Sequence, residues 1–121
     1  MIVVDTSVWI DHFRRPDRAL AERIAEGDIC LHPYVLGELL LGGVPARSDI
    51  AKQLDILARP PVASASEAAA FITWAELAGT GIGFVDANLL ISAKLLPDGR
   101  ILTGDKHLHA QATRLGLAFE A

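Results

Sequence analysis

Apolar residues fall along this chain in short blocks of two kinds, continuous runs and runs at helical spacing. Met1-Ile2-Val3-Val4 is continuous, which predicts a strand buried on both faces, as in a parallel sheet. It stops at Asp5, and the hydroxyls Thr6 and Ser7 read as the turn into a helix carrying Trp9, Ile10 and Phe13. Arg14-Arg15-Pro16-Asp17 breaks that helix. Asp17 caps a second, with Leu20, Ala21 and Ile24 on one face and Gly27 at its end. Asp28 to His32 predicts a second short strand. Pro33 suits the first turn of a helix from Tyr34 to Leu41, closed by Gly42-Gly43.

Ser48 or Asp49 opens a fourth helix, with Ile50, Leu54 and Leu57 at helical spacing, and Arg59 to Val62 is a connection with room for a brief strand. Ser64-Ala65-Ser66-Glu67 has capping-box spacing and starts a helix through Phe71, Trp74 and Leu77. After the glycine-rich loop Gly79 to Gly83, Asp86 starts a helix through Leu96. Pro97-Asp98-Gly99 is a turn, Arg100 to Thr103 a strand, and Asp105 begins the last long helix. Gly116 ends it before a final edge strand, Leu117 to Phe119. Strands alternating with helices long enough to cross over predict an α/β sheet with helices on both faces. No repeat, low-complexity segment or linker divides the chain, so residues 1–121 read as one domain.

Composition narrows the partners. The chain is 51% apolar, high enough that we expect an oligomer or a bound partner to cover the surplus. No run approaches the roughly 20 apolar residues of a membrane span, and the N-terminus enters a strand without a basic segment or cleavage site, which argues against a signal peptide. Cys30, the one cysteine, lies within Ile29-Cys30-Leu31 and reads as a small core residue; a cytoplasmic location fits. The formal charge of −4 argues against a protein whose whole surface binds nucleic acid. It leaves room for an acidic pocket neutralised by a cation and rimmed by bases, for which Arg14, Arg15, Arg18, Arg47, Lys94 and Lys106 are available.

Four acids stand apart from the rest. Asp5 ends the first strand, and in open α/β sheets ligands bind at that edge. Glu38 stands inside Val35-Leu36-Gly37-Glu38-Leu39-Leu40-Leu41, with no base three or four positions away to pair with it. Asp86 and Asp105 each follow an apolar stretch and precede a helix. Asp5, Asp86 and Asp105 are each also placed to do no more than cap a helix. Gathered at one sheet edge, the four would repel one another unless a cation neutralised them. Carboxylate oxygens without His or Cys favour Mg²⁺ or Mn²⁺ over zinc. His32, His107 and His109 form no zinc set, since His107 and His109 are two apart on a helix and point different ways. No phosphate-binding loop, dinucleotide fingerprint or nucleophile elbow is present.

Four blocks, in order, resemble the motifs of the PIN-domain family, and within it the VapC-type toxins of bacterial toxin–antitoxin pairs. They are Met1-Ile2-Val3-Val4-Asp5-Thr6-Ser7-Val8-Trp9-Ile10, His32-Pro33-Tyr34-Val35-Leu36-Gly37-Glu38-Leu39, Gly81-Ile82-Gly83-Phe84-Val85-Asp86-Ala87-Asn88-Leu89-Leu90 and Leu102-Thr103-Gly104-Asp105-Lys106-His107-Leu108. The resemblance runs almost end to end. It implies a three-layer α/β/α sandwich around a mainly parallel sheet, and a Mg²⁺-dependent endoribonuclease, with Mn²⁺ as a substitute ion. It also implies a homodimer and a cognate VapB-type antitoxin whose tail occludes the acidic groove. Asp5, Glu38, Asp86 and Asp105 would then be the catalytic and metal-binding acids, with Thr6, Ser7 and Thr103 assisting through their hydroxyls. Arg14, Arg15 and Lys106 are the candidate phosphate contacts.

Two other classes compete. A phosphotransfer domain with an acidic Mg²⁺ pocket is the first, but a receiver domain needs an acidic pair near its first strand, where only Asp5 stands. A haloacid-dehalogenase-type phosphatase needs an acid two residues after the first, where this chain has Ser7. The second competitor is a non-catalytic interaction module with a vestigial acidic pocket.

Overall fold

β1 (Ile2–Val4) is the middle strand of a parallel sheet of order β2-β1-β3, with β2 at Ile29–Cys30 and β3 at Arg100–Leu102. The computed structural model describes residues 1–120. Ile2 and Val3 pair with Ile29 and Cys30 on one side, and Ile2, Val3 and Val4 with Arg100, Ile101 and Leu102 on the other. Single bridges extend the sheet outward, from Cys30 to Ala58 and from Ile101 to Ala118. All three β1 residues are buried, as a continuous apolar run flanked by partners on both edges requires.

The helices are α1 (Thr6–Arg14), α2 (Arg18–Ala25), α3 (Pro33–Leu41), α4 (Asp49–Asp55), α5 (Ala65–Trp74), α6 (Phe84–Leu95) and α7 (Lys106–Arg114). They complete a three-layer α/β/α sandwich. α6 packs on β1, β3 and α5, and Ala87 to Ala93 are all buried. A helix apolar all round needs such cover, and its two buried polar residues are satisfied. Ser92 Oγ donates to the Pro61 carbonyl at 2.7 Å and Asn88 Nδ2 to that of Phe84 at 3.0 Å. No helix among the described residues is long and apolar enough to cross a membrane.

The expected caps are made. Asp17 accepts from Leu20 N, Ser48 from Ala51 N, and Ser64 and Glu67 form the reciprocal capping box. The differences lie at edges. The strand expected over Asp28 to His32 contracts to Ile29–Cys30, because His32 turns to cap α3, its Nδ1 accepting from Tyr34 N at 3.0 Å. The final strand, Leu117 to Phe119, contributes one bridge. The helix expected to reach Leu77 stops at Trp74, where Glu76 takes a left-handed turn at φ 53°. No strand precedes Asp86: Ile82 lies in the loop, α6 has already begun at Phe84, and Asp86 is its third residue.

Candidate active site

Asp5, Glu38, Asp86 and Asp105 open onto one pocket of about 520 Å³, with Thr6, Ser7, Ile10, Asp11 and Gly104 completing its lining. Asp5 and Asp105 arrive from the carboxyl ends of β1 and β3, whereas Glu38 projects from α3 and Asp86 from the first turn of α6. The expectation of several strand-end acids thus holds for two; helices supply the others.

Each carboxylate is oriented by a neighbour. Asp5 is buried, at 7% exposure, and its backbone N–H continues the sheet ladder to the Leu102 carbonyl at 2.9 Å. Its Oδ1 accepts from Thr6 N at 2.8 Å and its Oδ2 from Thr103 Oγ1 at 2.7 Å. Thr103 Oγ1 in turn accepts from Asp105 N at 3.0 Å, so one hydroxyl ties both strand ends together. Thr6 Oγ1 donates to Glu38 Oε1 at 2.7 Å. Asp86 Oδ2 accepts from Gly83 N at 3.0 Å, and Asp105 Oδ1 from Leu108 N at 2.9 Å. Asp5, Asp86 and Asp105 therefore serve helix starts and the pocket at once. At Asp86 and Asp105 that contact uses one carboxylate oxygen and leaves the other without a protein donor, whereas the second oxygen of Asp5 is held by Thr103.

The electrostatics follow. Burial pushes the Asp86 carboxyl above its usual range, the Gly83 N–H opposes this, and the charges of Asp5, Asp105 and Glu38 raise it further. No lysine or arginine lines the pocket. An all-oxygen, uncompensated anionic pocket matches a hard divalent cation. Among the described residues, however, no three His, Cys, Asp or Glu side chains come together closely enough to grip one ion directly.

The other residues singled out above divide cleanly. Thr6, Ser7 and Asp105 line the pocket, and Thr103 acts on it through Asp5. Arg14, Arg15 and Lys106 are exposed, and none lines it. Of the other bases, Arg18 pairs with Glu22 and Lys94 sits over the Trp74 ring. Asp11 is a pocket acid that the reading of motifs passed over; its spacing of four from Ser7 puts both on one face of α1. Cys30 is fully buried, its thiol pushed up to about 11 by burial, which makes it a core residue and no nucleophile.

Comparison with known proteins identifies the class: residues 2–113 match the PIN domain family model, and the chain belongs to that family. It is 40% identical over 118 residues to the protein named Ribonuclease VapC32 in two Mycobacterium tuberculosis strains, CDC 1551 / Oshkosh and ATCC 25618 / H37Rv, covering 98% of this chain and 95% of theirs. No solved structure gives a significant match.

Proposed function

We propose that this protein is a Mg²⁺-dependent endoribonuclease, the toxin of a type II toxin–antitoxin module, built as a single PIN domain over residues 1–121. The observation that carries the reading is the convergence of Asp5, Glu38, Asp86 and Asp105 on one pocket without a basic side chain in its lining. The names of the similar proteins support the same chemistry.

In this reading the four acids hold the ion, Mg²⁺ or in its place Mn²⁺, directly or through its waters. A bound divalent ion would supply Lewis-acid polarisation of a phosphoryl oxygen and a lowered pKa for water. The chain's own contribution is orientation. Thr6 N and Thr103 fix both oxygens of Asp5, Thr6 Oγ1 aims Glu38, and the Gly83 N–H holds one oxygen of Asp86. Phosphodiester hydrolysis then adds water oxygen to phosphorus and breaks one ribose P–O bond, the departing oxygen taking a proton. Arg14, Arg15 and Lys106 would contact phosphates beyond the pocket.

The same reading places the protein in the cytoplasm as a homodimer paired with a VapB-type antitoxin. Exposed Leu41 and Ile56, at 90% and 84%, are the kind of surface that partners cover. The direct test is Asp5→Asn. The variant should fold normally and cleave no RNA, and cleavage by the native protein should cease in excess EDTA. Full activity in either case would overturn the metal–carboxylate mechanism.

A further inference from the structure

The first turn of α6 carries an aromatic ring that the core does not use. Phe84 is the first residue of α6 and is 57% exposed. It borders a shallow hollow of about 250 Å³ walled by Ile72, Leu77, Gly79, Ile82 and Gly83. The hollow adjoins the acidic pocket: Gly83, one of its walls, donates its N–H to Asp86, which lines the pocket. The turn is anchored from inside, since Asn88, at 2% exposure, donates from Nδ2 to the Phe84 carbonyl at 3.0 Å. The ring therefore stands on a fixed backbone two residues from a site acid.

We propose that Phe84 is a stacking platform for an unpaired nucleobase next to the phosphate held at the acidic pocket. This rests on the ribonuclease reading and adds to it how the RNA is gripped. The pocket lining itself repels a phosphate backbone, because it holds five carboxylates and no base. Beyond what a bound ion contributes, affinity must come from the pocket's surroundings. An exposed aromatic ring beside an apolar hollow supplies it through the face of a base, which every nucleotide offers. The hollow is lined by aliphatic side chains, glycine and alanine, with no charged side chain, so it selects for an unpaired planar group more than for one base edge. The other candidate occupant is a protein partner, and the test separates the two.

Binding is measured in the Asp5→Asn background, so that no strand is cut, with Mg²⁺ present. The probes are a short oligoadenylate and an abasic ribose-phosphate strand of equal length. Phe84→Ala should weaken oligoadenylate binding roughly tenfold and leave the abasic strand unaffected, while Phe84→Trp should retain affinity. Three results would overturn the proposal: equal loss on both strands, which marks a structural role; no loss on either, which assigns the ring to a protein contact; or a parent protein that binds the two strands alike. Failure of the native protein to cleave total RNA with Mg²⁺ or Mn²⁺ would sink the ribonuclease reading separately, while base-dependent binding would stand.

Discussion

Thr103 donates its hydroxyl proton to Asp5 Oδ2 at 2.7 Å across 98 positions of sequence, and Thr103 Oγ1 itself accepts from Asp105 N. One side chain thus sets the orientation of the acid at the end of β1 and the path of the chain into α7. Asp5 also receives Thr6 N, so both of its oxygens are committed to fixed donors before substrate arrives.

Thr103→Val keeps the volume and branching but removes both hydrogen bonds. Outer partners of ligating carboxylates typically change metal affinity or activity by roughly 10–100-fold when mutated, and a fall in that range is expected for Mn²⁺ affinity by calorimetry and for kcat/KM. The stability cost should stay near 1–2 kcal/mol. Thr103→Ser should restore most of the activity. Equal impairment by Ser and Val would show that the methyl packing, and not the hydroxyl, is what matters.

Asp86→Asn should separate the site's electrostatic cost from its use. The Asp86 carboxyl is raised chiefly by burial, with Asp5, Asp105 and Glu38 adding to the effect against the Gly83 N–H. A raised carboxyl binds its proton more tightly in the folded chain than in the unfolded one. The resulting penalty is present above the folded pKa and relieved as pH falls below the ordinary carboxylate range. At neutral pH the amide carries no such penalty and still offers an oxygen to Gly83 N. In EDTA the variant should be more stable than the native protein. In excess Mg²⁺ the native protein should gain stability and the variant should gain little. Thermal denaturation under the two conditions reads both effects. An identical Mg²⁺ shift in the two proteins would remove Asp86 from the ion site.

The central strand and the strand-end acids were legible because they depend on local pattern: an apolar run, a stop, a cap. The same is true of Asp17, Ser48 and Ser64. Glu38 was legible as an anomaly but not as an exposed one. Leu40 and Leu41 of α3 are themselves exposed, so the helix carries no polar stripe to reveal its wet face. The apolar run before Asp86 suggested a strand. In the fold Gly81 takes φ +86°, with the His107 ring covering the place where a Cβ would stand, and Phe84 turns to solvent. That outcome depends on α7 packing over the loop, which no window of sequence around residue 86 contains. The final strand shrank to a single bridge for a related reason: whether an edge pairs depends on where the neighbouring chain is delivered.

Gly99 is a backbone requirement of the fold. It ends the turn between α6 and β3, and a Cβ there would run into the Ala93 carbonyl, which is helix backbone and cannot swing aside. Gly99→Ala should destabilise the protein by roughly 2 kcal/mol or more, through displacement of β3 from β1 or of the last turn of α6. Urea denaturation would show it. An unchanged midpoint would mean that the turn has a second conformation able to accept a side chain.

His32 should make stability depend on pH in a window that can be isolated. It is fully buried at the start of α3; its Nδ1 accepts from Tyr34 N, and its Nε2 has no partner. Burial lowers its pKa from 6.5 to about 4. The unfolded chain therefore takes up a proton near pH 6.5 that the folded chain refuses until about pH 4. The stabilising contribution is complete above the unfolded value, declines as pH falls through the interval, and is lost below the folded value. At pH 5 the loss amounts to about 2 kcal/mol relative to pH 7. Carboxylates also titrate at the lower end of this range, so the comparison must be with a variant. His32→Asn keeps a good N-cap and cannot titrate. It should be less stable than the native protein at pH 7, because it leaves space where the ring was packed, yet lose about 2 kcal/mol less than the native protein between pH 7 and 5. Urea midpoints for both proteins at the two pH values provide the measurement. Parallel pH dependence would show that the imidazole is protonated without cost in the folded chain, and that a polar group or water reaches its Nε2.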